Sequence, residues 1–179
     1  MYKRQVGDTE VGGKESTGVI AESGSKATAG NVKVSGEYMT GASAYGDSTV
    51  HVKGDVTATG ENSVGIDGET GTIKVGGDVS GIEAVVARGE ADVTVGGSVS
   101  GTLSGIVAVG NASVSVKGDA ETKVGPGVFA QENATVTVDG NVTGGTFYEA
   151  PEGYEYVYPA IIAGAGTTVI VKGTVSTAE

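Results

Sequence analysis

Cysteine is absent, which excludes disulfides and thiolate metal sites and leaves the redox compartment open. Tryptophan is absent too, and leucine occurs only at Leu103, so the apolar residues are mainly Val, Ile and Ala. Such small, largely β-branched residues favour strands and a thin core built in layers. Cations are scarce: 11 Lys and Arg stand against 22 Asp and Glu, a net charge of -11. That balance argues against nucleic acid or an anionic membrane as partner, because such contacts rest on clustered basic side chains. No apolar run approaches the roughly 20 residues that span a bilayer, so no membrane insertion by this segment is expected. The start also lacks the charged-then-apolar pattern of a signal peptide.

What is abundant is glycine, 33 residues of it, and repetition. Asn133 to Val142 reads N-A-T-V-T-V-D-G-N-V, an alternating strand followed by a glycine turn, and near-copies of it recur along the chain. With Val136 as origin, the equivalent positions are Val50, Ile73, Val93, Val114 and Val169. A period of about 21 residues marks a solenoid. Apolar positions six residues after each origin (Val56, Val79, Val99, Ala120, Val142, Val175) open a second strand. Six residues before each origin, Ala44, Asp67, Ala87, Ala108, Ala130 and Ala163 fall within a third. Three short strands per rung predict an all-β fold, a right-handed parallel β-helix. Parallel neighbours lie about 4.8 Å apart, so every side chain sits over its counterpart in the next rung.

Turn glycines recur four residues after each origin, at Gly54, Gly77, Gly97, Gly118, Gly140 and Gly173. Glycine suits a positive φ or a close backbone approach, and the adjoining Asp55, Asp78, Asp119 or Asn141 is expected to bond its own turn backbone. The early part is less regular. Gly18-Val19-Ile20-Ala21 matches Gly127-Val128-Phe129-Ala130, but Glu22 to Asn31 reads as irregular and Val32-Lys33-Val34 as out of step. Met1 to Gln5 resembles the translated transposase end of a sequencing library, so residues 1-5 are set aside from the fold as a scar. Residues 6-179 then form one solenoid segment with 9 basic and 22 acidic residues, a net charge of -13. With the chain starting and stopping in mid-rung, it is expected to be a piece of a longer repeat protein whose open ends self-associate end to end.

No constellation has the residue types and spacing that a reaction needs, so no catalytic, cofactor or metal site is expected, and the chain is read as no enzyme. His51 is the sole histidine, at the outward middle of Val50-His51-Val52 above Lys74, and lacks partners for catalysis. Arg88, the one arginine of the body, suits the base of a polysaccharide lyase or hydrolase of the β-helix type. That alternative also needs carboxylates nearby, which Glu69, Glu90 and Asp92 would supply only by meeting at a corner. A second alternative is ice binding. The outward columns Thr49, Thr72, Asp92, Ser113, Thr135, Thr168 and His51, Lys74, Thr94, Ser115, Thr137, Ile170 are hydroxyl-rich, but only Thr135 and Thr137 make a threonine pair.

The glycine-rich Gly7 to Lys14 stretch fails as a phosphate loop, since Asp8 takes a glycine position and Glu15 follows Lys14. The triplets Asn111-Ala112-Ser113, Asn133-Ala134-Thr135 and Asn141-Val142-Thr143 fit a glycosylation pattern that the repeat itself generates.

The period breaks once. Val169 follows Val136 by 33 residues, 11 more than the preceding spacing of 22, and the interval holds Phe147, Tyr148, Tyr154, Tyr156 and Tyr158. Ala150-Pro151-Glu152-Gly153 is turn chemistry, so a β-hairpin insertion at about 145-158 is expected to leave the stack. Tyr154, Tyr156 and Tyr158 alternate and so share one strand face, suited either to sugar rings or a protein partner, or to packing on an outward apolar column of Ile66, Val86, Val107, Phe129 and Ile162.

The pattern T-V-x-V-x-G-D-V-T followed by G-V-x-A-x-x-x-A resembles the repeats of large bacterial surface proteins, namely adhesins, autotransporter passenger domains and related cell-wall-anchored β-helices. The resemblance covers nearly all of residues 6-179. It implies export to the extracellular space or cell surface, a rigid stalk, and binding of a glycan or a host or cell-surface protein by projecting loops; it carries no catalytic residues.

Overall fold

The computed structural model describes residues 3–5, 7–149 and 154–178, with side chains over 7–146 and 157–178. The described residues contain strands and no helix, stacked in parallel as a β-solenoid of about six turns. About 23 residues make one turn, against the 21 read from the regular rungs; the 33-residue rung accounts for much of the difference.

The first face is an eight-stranded sheet. Its register runs Val50, Ile73, Val93, Val114, Val136, Val169 in one inward column and Val52, Val75, Val95, Val116, Val138, Val171 in the other. All but the last member of each column are buried, and Val169 and Val171 are half-buried. Alternation thus leaves Thr94, Ser115 and Thr137 on the opposite side. The second and third faces form one thirteen-stranded sheet. They are continuous because Val79–Gly89 and Val99–Gly110 run through both, with a break in register between Gly81 and Glu83.

Three expectations need correction. First, Glu22 to Asn31 is not irregular: Lys26–Ala29 stacks on Thr49–Val52, with Ala27 on Val50 and Ala29 on Val52. Alanines in place of valines weaken the apolar signal there. Lys3–Gln5 in turn pairs with Lys26, Ala27 and Thr28 at the edge of the same sheet. Second, Val32 lies in step on Val56 and Val34 on Ala58. The corner before Val32 is one residue shorter than the others, which made a correct strand look displaced. Third, the alanine column of the third face passes through Gly68, not Asp67, because Ala44 pairs with Gly68 and Gly68 with Ala87. Ile66 then points inward with Val85, Ile106 and Val128, all fully buried, while Asp67 joins the outward column of Val86, Val107, Phe129 and Ile162.

One corner is tied by a ladder of side chains. The Asn31 N–H donates to Asp8 Oδ1 (2.8 Å), Asp55 N–H to Asn31 Oδ1 (3.0 Å) and Asp78 N–H to Asp55 Oδ1 (2.9 Å). Ser98 N–H donates to Asp78 Oδ1 (2.7 Å), Asp119 N–H to Ser98 Oγ (3.1 Å), Asn141 N–H to Asp119 Oδ1 (2.7 Å) and Thr174 N–H to Asn141 Oδ1 (2.9 Å). Each short polar side chain therefore satisfies the backbone of the following rung, and the expectation that it bonds its own turn gives way. The acceptor must lie flat over the next corner, and this explains the glycines. A Cβ on Gly54, Gly77, Gly97, Gly118 or Gly140 would collide with the acceptor below it, and none of these residues has a positive φ. Space, and not backbone conformation, selects glycine at this corner.

Candidate functional site

The extra residues of the last interval form an antiparallel pair, Thr146–Glu149 with Tyr154–Val157, that joins neither solenoid sheet. Its register sets Phe147 opposite Tyr156, Tyr148 opposite Glu155 and Glu149 opposite Tyr154. The side chains of Phe147, Tyr148, Tyr154 and Tyr156, and the turn Ala150-Pro151-Glu152-Gly153, lie outside the described residues. At the root, Gly145 N–H donates to Gly125 O (2.8 Å), Thr146 N–H to Lys123 O (3.1 Å) and Tyr158 N–H to Gly145 O (3.1 Å). A Cβ on Gly145 would collide with the backbone of Lys123 and Val124, so glycine lets the chain leave the stack this close to the rung below. Tyr158 and Val157 are exposed.

The hairpin root adjoins a groove of about 290 Å³ along the junction of the second and third faces. Ala58, Thr59, Gly60, Ser80, Gly81, Ile82, Ser100, Gly101, Thr102 and Lys123 line it. The concavity comes from glycine. At Gly81 a Cβ would lie 2.7 Å from Glu83 O and 2.8 Å from Gly65 N, and at Gly101 it would collide with Ser104 O. Only glycine lets the strand fold back so sharply at these two positions. A second groove, about 360 Å³, shares Ser80 and Ser100 and extends to Asp55, Asp78 and Glu121. Glu121 accepts a hydrogen bond from Ser100 Oγ (3.1 Å).

Neither groove was anticipated from the sequence. A signal was present, however, in the row Thr57, Ser80, Ser100, Glu121, Thr143 and Ser176, seven residues after each origin and hydroxyl-bearing at every position but Glu121.

Other candidates are dispersed. Arg88 pairs with Asp67 across the rungs, its Nη1 2.6 Å from Oδ1. The carboxylates Glu69, Glu90 and Asp92 do not meet: among the described residues no group of three or more acidic or histidine side chains is placed to hold a metal. His51 is exposed between Thr28 and Lys74. The two outward columns of the first face keep their expected register, so His51, the charged Lys74 and Asp92, and the apolar Ile170 interrupt the hydroxyls. Among the described residues no helix is long and apolar enough to cross a membrane.

Compared with protein-family models, curated proteins and solved structures, the chain matches none.

Proposed function

We propose that this chain is a non-enzymatic, structural and adhesive repeat segment of a bacterial surface or secreted protein, with the hairpin of residues 146–157 as its contact element for a glycan or cell-surface protein. The observation that carries this reading is the hairpin itself, paired to no solenoid strand and mounted on a stack whose other rungs vary in length by only a few residues. A solenoid holds its shape through contacts between neighbouring rungs, so it can present such an element at a fixed position on a stiff support. The repeat resemblance to bacterial surface proteins supports the cellular setting.

The test is excision. Tyr158 N–H already bonds Gly145 O, so a Gly-Ser link can replace residues 146–157 without straining the stack. The variant is expected to keep the melting temperature within a few degrees while losing glycan-array and cell-adhesion binding. Full binding by the excised variant would contradict the adhesive reading, and glycan depolymerisation that disappears in Arg88→Ala would contradict the non-enzymatic one.

A further inference from the structure

We propose that the groove below the hairpin root is a binding site for an acidic oligosaccharide. This rests on the adhesive reading, whose ligand class it narrows. The groove spans four consecutive rungs, from Thr59 through Ser80 and Thr102 to Lys123. That is three steps of about 4.8 Å, room for about three pyranose rings in a row. Its walls offer the hydroxyls of Thr59, Ser80, Ser100 and Thr102 over a glycine floor. Thr59 Oγ1 donates to Val34 O (3.3 Å) and Ser100 Oγ to Glu121 Oε1 (3.1 Å), so these two present acceptor lone pairs to a sugar hydroxyl, while Ser80 and Thr102 make no side-chain bond among the described residues and can donate as well. Bare glycine lets a flat ring come close to the backbone.

Charge sets the class further. In a chain of net charge -11 the one charged residue lining this groove is a cation, Lys123, at the end nearest the hairpin. Its ammonium makes no ion pair with a described carboxylate. An anionic group on the ligand would be met there, whereas Asp55, Asp78 and Glu121 line the adjoining groove and repel it. One carboxylate of the ligand is thus held at the hairpin end of the groove. A peptide is less well served, because a parallel stack has no free strand edge along its flank for backbone pairing.

Titration of the full chain by calorimetry tests this with a hyaluronan tetrasaccharide and uncharged chitotetraose as probes. The carboxylated probe is expected to bind at least about tenfold tighter, and Lys123→Gln to remove that advantage, as loss of one charge-assisted contact requires. Ser100→Tyr, which fills the groove from an outward position, is expected to abolish binding, and Lys74→Gln on the first face to leave it unchanged. Equal affinity for both probes, absence of binding, or an unaltered affinity in Lys123→Gln would overturn the proposal. If excising the hairpin abolishes cell adhesion while Lys123→Gln keeps full affinity for the tetrasaccharide, the groove fails and the adhesive reading stands.

Discussion

Val116→Asp is expected to remove much of the stability of the fold and to lower its melting temperature by about 10 °C or more. Val116 is fully buried and stacks between Val95 and Val138, which are themselves fully buried. A carboxylate there meets aliphatic side chains on both neighbouring rungs and has no cation in the column. The penalty for an unpaired buried charge is several kcal/mol, so the group either stays charged at that cost or takes up a proton. A whole domain is stable by only about 5 to 15 kcal/mol, so one such substitution consumes much of the margin. A solenoid also has no alternative packing for a failed rung, since each rung is held by its two neighbours. The control lies one residue away: Ser115 faces outward and is half-exposed, and Ser115→Asp is expected to cost less than about 1 kcal/mol. Circular dichroism melts of the two variants decide the matter, and equal melting temperatures would refute the register.

The second large effect is expected at the ladder corner. Gly97→Ala adds a single methyl group, yet that Cβ would collide with Asp78 Oδ1 and lie 2.7 Å and 2.8 Å from the carbonyl carbon and oxygen of Gly77. Backbone cannot yield without shifting the rung, and moving the Asp78 side chain breaks its bond from Ser98 N–H. Overpacking costs about 1 to 3 kcal/mol, and loss of a charge-assisted hydrogen bond adds to it. A total of roughly 2 to 4 kcal/mol lowers the melting temperature by about 5 to 15 °C. Gly7→Ala serves as comparison, because a Cβ there has nothing within 4 Å and its φ is not positive. A Gly97→Ala melt superimposable on that of Gly7→Ala would show that the corner is looser than the ladder requires.

From Thr49 onward the first face was legible residue by residue, because its strands alternate strictly and precede the corner glycines at a constant distance. Errors arose where a corner changed length by one residue. Gly68 lies five residues before Ile73, but Ala87 lies six before Val93, so counting back from the origin placed Asp67 in the core column and Ile66 outside it. A one-residue slip reverses every side chain of a strand, and composition gives no warning when the segment reads V-G-I-D-G. Lys26–Ala29 escaped recognition for a different reason: alanine satisfies the inward position without marking it. The ladder was half legible, since the acceptor types were visible at each corner while their donors, one rung away, belong to the stacking alone. The hairpin's backbone pairing follows the sequence reading, whereas the grooves depend on the bends at Gly81 and Gly101, which a linear pattern of glycines does not distinguish from ordinary turns.

The central claim, a parallel stack with each rung in register on the next, is tested most directly by electron paramagnetic resonance. The chain has no cysteine, so nitroxides attach only where cysteines are introduced. Ser115 and Thr137 are 22 residues apart in sequence but direct partners on adjacent rungs, facing outward. Labels at these two positions are expected to sit within about 5 to 10 Å of one another and to show strong dipolar broadening. A double-label spectrum that equals the sum of the two single-label spectra would contradict the stacking on which the core, the ladder and the groove all depend.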